Sequence, residues 1–230
     1  MSPEIGAIRR TMRTPRAAAV AGILFSVLSA TSQLLIWLSV PANPLGPAME
    51  VVRQSRNITL ALHMLVFAGI AFLWFIAVVR DRLGELEDRF FTTVFLGSGL
   101  LYIAMVFNAA ALAGALILVL RNGSENLVQS GAYALARVQI QQIMQTYAAR
   151  MAGVFMISTS TIFLQTRIVA RWMAFLGYVL ALTLLLSIGS ILWVPLVFPA
   201  WVFLISIYIL KENLQARPEA PQAAEAGTLG

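Results

Sequence analysis

The chain has 230 residues, of which 60% are hydrophobic and 11% charged, with a formal net charge of +6 and no cysteine. A chain of that length holds about five or six membrane spans of ~20 residues each, which leaves no room for a separate soluble domain. The missing cysteines exclude disulfides, thiol catalysis and thiolate metal sites, and continuous apolar runs exclude a membrane β-barrel, whose strands alternate every second residue.

Arg9, Arg10, Arg13 and Arg16 make a basic N-terminus, residues 1–16. The apolar run that follows, 17–40, is longer than the ~7–15 residue core of a cleavable signal, so it reads as a retained first span. Pro41, Pro44 and Pro47 then break the helix. Residues 48–57 form an amphipathic lead-in to a second span over 58–79, and a charged hairpin follows over 80–89. The third apolar run, Phe90 to Leu120, has no charge in 31 positions. It exceeds a ~30 Å hydrocarbon core and predicts a tilted or projecting helix.

Arg121-Asn122-Gly123 closes that run, and Ser124 with Glu125 resembles a helix start. From 125 to 147 the chain is Gln-rich and moderately amphipathic, with Val128, Leu135, Val138 and Ile143 set among Gln129, Arg137, Gln141 and Gln145. This pattern predicts an extracytoplasmic helix at the interface or one that extends the next span. The fourth span covers 148–164, and Arg167 and Arg171 mark a short loop. The last apolar block, Trp172 to Leu210, has 39 residues without a charge. As one helix it would be ~58 Å long, so Pro195 and Pro199 predict a break into spans 172–192 and 195–210. The tail, 211–230, is rich in Ala, Glu and Pro and reads as disordered.

The fold class is therefore all-α: a polytopic transmembrane helical bundle of six spans, with 17–210 as the membrane domain. With six spans, eleven of the sixteen basic residues share one side and five lie opposite. Excess Lys and Arg marks the cytoplasmic side, which puts both termini in the cytoplasm of a multi-pass cytoplasmic-membrane protein. The basic residues flank apolar segments, where anionic headgroups are the nearest partner. Membrane lipids are expected as partners, nucleic acid is not, and other membrane proteins or a second copy of the chain are open.

Three segments carry a family resemblance. The entry Arg16-Ala-Ala-Ala-Val-Ala-Gly-Ile-Leu-Phe25, the long mid-chain outer loop, and Arg167-Ile-Val-Ala-Arg171-Trp172-Met-Ala-Phe-Leu-Gly177 resemble a family of uncharacterised six-span bacterial membrane proteins. There a basic residue, Pro-Arg-Trp and a later Gly introduce the fifth span; here Ala170 replaces the Pro, and Phe198-Pro-Ala-Trp201 lacks that family's usual acidic residue. The resemblance implies six spans. That family has no established activity, so it implies no functional residues.

The polar residues within the spans are few. All ten acidic residues fall in loops or tails by this reading, which argues against a carboxylate proton relay, a dicarboxylate metal site or an intramembrane hydrolase. His63 reads as an interhelical hydrogen-bonding ring, with a pH-sensitive group or haem ligand as the functional alternative. Asn108 and Gln33 read as hydrogen-bonding contacts between helices or the lining of a polar path. Ser158, Thr159, Ser160 and Thr161 are expected to bond back to their own helix, or else to line a substrate cavity. Gly22, Ser26 and Ser29 make a small-residue stripe, as do Gly97, Ser98 and Gly99, read as packing within the chain rather than a dimer interface. Ala17 to Phe25 echoes Ala148 to Met156, a weak sign of inverted repeats. No catalytic constellation, metal spacing or cofactor motif is present, so neither an enzyme nor a cofactor is expected. The expected role is that of a structural or accessory protein acting through helix–helix or lipid contacts. A small transporter or channel for a neutral or lipophilic solute is the alternative.

Overall fold

A computed structural model gives the architecture and describes residues 3–39, 48–83, 89–122, 131–166, 169–186 and 194–215. Those residues are helical almost throughout, with no strand among them. The helices are α1 (Pro3–Ser39), α2 (Ala48–Arg53), α3 (Ser55–Leu83), α4 (Arg89–Arg121) and α5 (Ala132–Gln142), then α6 (Ala149–Thr166), α7 (Arg171–Leu186) and α8 (Val194–Gln215). A π-helical segment, Ile143–Ala148, joins α5 to α6 without a break. Long apolar runs allow such helices, because in lipid a helix satisfies its backbone N–H and C=O groups locally.

Five helices are long and apolar enough to cross a membrane: Ala17–Ser39, Ser55–Arg80, Phe90–Arg121, Ala132–Thr166 and Val194–Lys211. By length and apolarity that is one fewer than the six spans expected. The segment expected to span as 172–192 is described as a helix only over Arg171–Leu186, 16 residues, or about 24 Å at 1.5 Å per residue. Residues 187–193, 123–130 and 216–230 lie outside the described residues, so the proposed turn before Val194, the start of the amphipathic segment and most of the tail do as well. At the other end, α1 begins at Pro3 and runs for 37 residues, so the basic N-terminus continues the helix of the first span.

The bundle is held by a layer of rings to which five helices each contribute one. Phe72 of α3 sits at its centre, with ring centroids 4.7 Å from Phe25 (α1), 5.6 Å from Tyr102 (α4), 5.2 Å from Phe155 (α6) and 5.4 Å from Phe198 (α8). Edge-to-face and tilted geometries of this kind add to the burial of each ring. Small residues let the helices close around that layer. A Cβ at Gly22 would strike Ser206 Oγ of α8 and Phe75 of α3, and one at Gly69 would strike the Phe107 ring of α4. Ser26 and Ser29 are buried beside Gly22, so this stripe packs inside the chain. In the second stripe Gly99 meets Ile76 and Phe155, whereas Gly97 faces open space. A separate cluster of Val51, Ile58, Leu116, Ile117, Leu120 and Tyr133 seats α2 and α5 against the start of α3 and the end of α4.

Candidate functional site

The site begins with a proline. Pro199 lies inside α8 and has no N–H, so the carbonyl four residues earlier, that of Pro195, loses its helical donor. Gln33 of α1 supplies one instead: its Nε2 donates to Pro195 O at 3.1 Å, and also lies 3.3 Å from Ser29 Oγ. The amide expected to link helices thus repairs a backbone defect that another helix creates. Irregular backbone is tolerated in a membrane where a neighbour satisfies it in this way.

A cavity of about 280 Å³ opens beside this contact. It lies at the end of the bundle where α1 finishes, α3 begins, α4 finishes and α8 begins. Its walls are mainly apolar: Ile36, Leu62, Leu65, Ala113, Leu116 and Leu196 are among them. The polar groups are Gln33 and, from the α5 side, Arg137, Gln141 and Gln145. Those three recur at intervals of four, which stacks them on one face of a helix. Gln141 Nε2 donates to Gln145 Oε1 at 3.3 Å. Arg137 donates to the Tyr133 hydroxyl at 3.3 Å and lies over its ring. Among the described residues, no acidic side chain lines the cavity, and Arg137 is the single charged side chain that does. Met144 and Gln145 belong to the π segment, a helical irregularity often found at functional sites.

Inward, a void of about 10 Å³ between Gln33, Tyr102, Met144 and Phe198 adjoins the cavity. The Tyr102 hydroxyl is bonded to Ser29. Beyond it the axis of the bundle is filled by the ring layer, in which Phe72 and Phe155 are fully buried. The cavity is therefore a pocket closed at its inner end, not a pore.

Of the candidate residues, Gln33 alone lines the cavity. His63 faces outward, and its Nδ1 pairs with the Thr59 carbonyl of its own helix at 2.8 Å. This corrects the expectation of a bridge between helices: the ring is exposed and its hydrogen bond lies within α3. Asn108 also faces outward. Ser158 and Thr159 bond back to Val154 O and Phe155 O. Thr161 bonds to Ile157 O and across to the Tyr178 hydroxyl at 2.7 Å. Ser160 Oγ is buried without a hydrogen-bond partner, and it and Trp201 Nε1 both abut Gly177. Of these hydroxyls Thr161 alone bonds across to a neighbouring helix, and none of the four lines the cavity. Among the described residues, no three His, Asp or Glu side chains are grouped as a metal site would require. Arg137, Gln141 and Gln145 were legible as a polar stripe. The cavity they face was not.

Comparison with known protein families, curated proteins and solved structures finds no match to this chain.

Proposed function

We propose that this multi-pass membrane protein binds a neutral or lipophilic solute in the cavity between α1, α3, α4, α5 and α8. An amphiphile with an uncharged or anionic head is the form that fits best. The observation that carries the reading is the lining itself, an apolar pocket of about 280 Å³ with three amides and one guanidinium at its polar side. Ligand sites of this kind are mainly apolar with a few placed polar groups that fix orientation. Among the described lining residues, Arg137 and the amides offer donors to carbonyl, hydroxyl or phosphate oxygens. Among the described residues the lining has no hydroxyl, imidazole, thiol or carboxylate side chain, and the proposal is binding or carriage of the solute.

The topology we propose has six spans, with α7 as the short fifth, and both termini in the cytoplasm. The excess of basic residues on that side supports it. In that orientation the cavity lies in the outer half of the bilayer of a bacterial cytoplasmic membrane, open to amphiphiles of that leaflet. Thermal unfolding of the purified protein with a panel of single-chain amphiphiles tests the binding. Uncharged and phosphate-headed members should raise the midpoint, and Ala113→Trp, which fills the pocket, should abolish the rise. Equal shifts in wild type and Ala113→Trp would refute the cavity as the site.

A further inference from the structure

Among the five membrane-length helices, α4 is the least covered by the rest of the chain, with 28% of its apolar window buried. Its outward face is not uniformly apolar. Asn108 is exposed there, and its carboxamide has no hydrogen-bond partner among the described residues. Two registers place it at mid-depth. It lies near the middle of the Phe90–Arg121 span. The contacts of Gly69 with Phe107, Gly114 with Leu62 and Gly99 with Ile76 make α3 and α4 antiparallel and bring Asn108 level with Ala68, at the middle of Ser55–Arg80. At that depth lipid tails offer neither donor nor acceptor, and an unpaired carboxamide is costly.

The residues around it have a period. Gly97, Ala104, Ala111 and Leu118 recur at intervals of seven, and Leu101, Asn108 and Ala115 follow them at intervals of four. All are exposed except Gly97, whose missing Cβ faces open space. An alternation of four and three is the seam of a left-handed helix pair, and a single Asn in such a seam fixes register and partner number. Small residues let two backbones approach there.

We propose that α4 pairs with α4 of a second copy of this chain, as a parallel two-fold dimer joined at Asn108. Copies inserted with one topology are related by an axis along the membrane normal, so α4 meets α4 in parallel and Asn108 meets Asn108. The occupant is a second copy because the group is self-complementary. Each carboxamide carries both donor and acceptor, so two of them satisfy one another, and α4 itself supplies a partner with the same seam. The dimer is independent of what the cavity holds, since Ala109, Ala110 and Ala113 of α4 line the cavity and lie off the seam.

The chain has no cysteine, which makes single-cysteine cross-linking direct. Ala104→Cys and Ala111→Cys, purified and reconstituted at low density in phosphatidylcholine vesicles, are oxidised with copper phenanthroline. Leu182→Cys, exposed on α7, serves as the control. Cross-linked dimer is expected for both seam positions and not for the control. Counted by single-molecule photobleaching of labelled protein against wild type, Asn108→Val should weaken the dimer about three- to twentyfold, the range measured for interhelical hydrogen bonds in membranes. Asn108→Gln, which keeps donor and acceptor, should retain most of it. Seam cysteines that cross-link no better than Leu182→Cys would overturn the proposal, and so would an Asn108→Val dimer as strong as wild type.

Discussion

Gln33→Leu is the most informative single change at the cavity, because its effect depends on a proline in another helix. In wild type the Gln33 amide donates to the Pro195 carbonyl at 3.1 Å, a carbonyl that Pro199 leaves without a helical donor. Leucine keeps the volume and removes the donor. A buried acceptor left unpaired costs about 1–3 kcal/mol; the cavity gives this one some access to water, so a loss of about 1–2 kcal/mol is expected. Pro199→Ala restores an N–H that can bond to Pro195 O within α8. In that background Gln33→Leu gives up only its bond to Ser29 Oγ, about 0.5–1 kcal/mol. The two substitutions should therefore couple by about 1 kcal/mol, well beyond the ~0.3–0.5 kcal/mol scatter of independent sites. Reversible unfolding in mixed micelles of the four proteins measures it. Additive costs would show that Gln33 does not serve the proline defect.

Truncating the ring layer should cost far more than truncating an outward ring. Phe72→Ala, at the centre of the layer, is expected to lose about 3–5 kcal/mol, and Trp74→Ala, two residues on and 67% exposed, under about 1 kcal/mol; equal losses in the unfolding assay would refute the assigned core. A side chain at Gly177 must displace Ser160 Oγ and Trp201 Nε1, so Gly177→Val should destabilise by about 1–3 kcal/mol or more, and a wild-type midpoint would contradict the close approach of α6, α7 and α8. For topology, reporter fusions after Arg82, Arg167 and Lys211 should all report cytoplasm, and fusions at Pro44 and Ser130 the outside. A C-terminal fusion that reports the outside would refute six spans.

The helices themselves were legible in the sequence because spans are read from length and apolarity, and the runs at 58–79 and 90–120 leave little choice. Which face of a span points inward was not legible. In lipid both faces are apolar, so nothing in the order Phe72-Leu73-Trp74 separates the buried ring from the two exposed side chains after it. The rule that polar residues in spans face inward failed for His63 and Asn108. The His63 ring pairs with a carbonyl of its own helix, and an amide can look outward where another helix can meet it. The role of Gln33 did leave a signal. A proline inside a helix always orphans one carbonyl, and an amide in an adjacent span is a ready donor; only their proximity, across 162 residues, needed the fold. Length and apolarity alone give five spans rather than six, because the shortest apolar helix is described over only 16 residues, Arg171–Leu186.

The central claim, that an amphiphile occupies the cavity beside Gln33, is tested most directly by photoaffinity mapping. A single-chain phosphate-headed amphiphile with a diazirine near its head would be irradiated with the reconstituted protein, and the labelled residues mapped by mass spectrometry. Labelling should concentrate on 33–37 and 137–145 and should fall in Ala113→Trp. Labelling spread along outward residues such as Phe67, Leu101 and Leu182, unchanged in Ala113→Trp, would contradict the account.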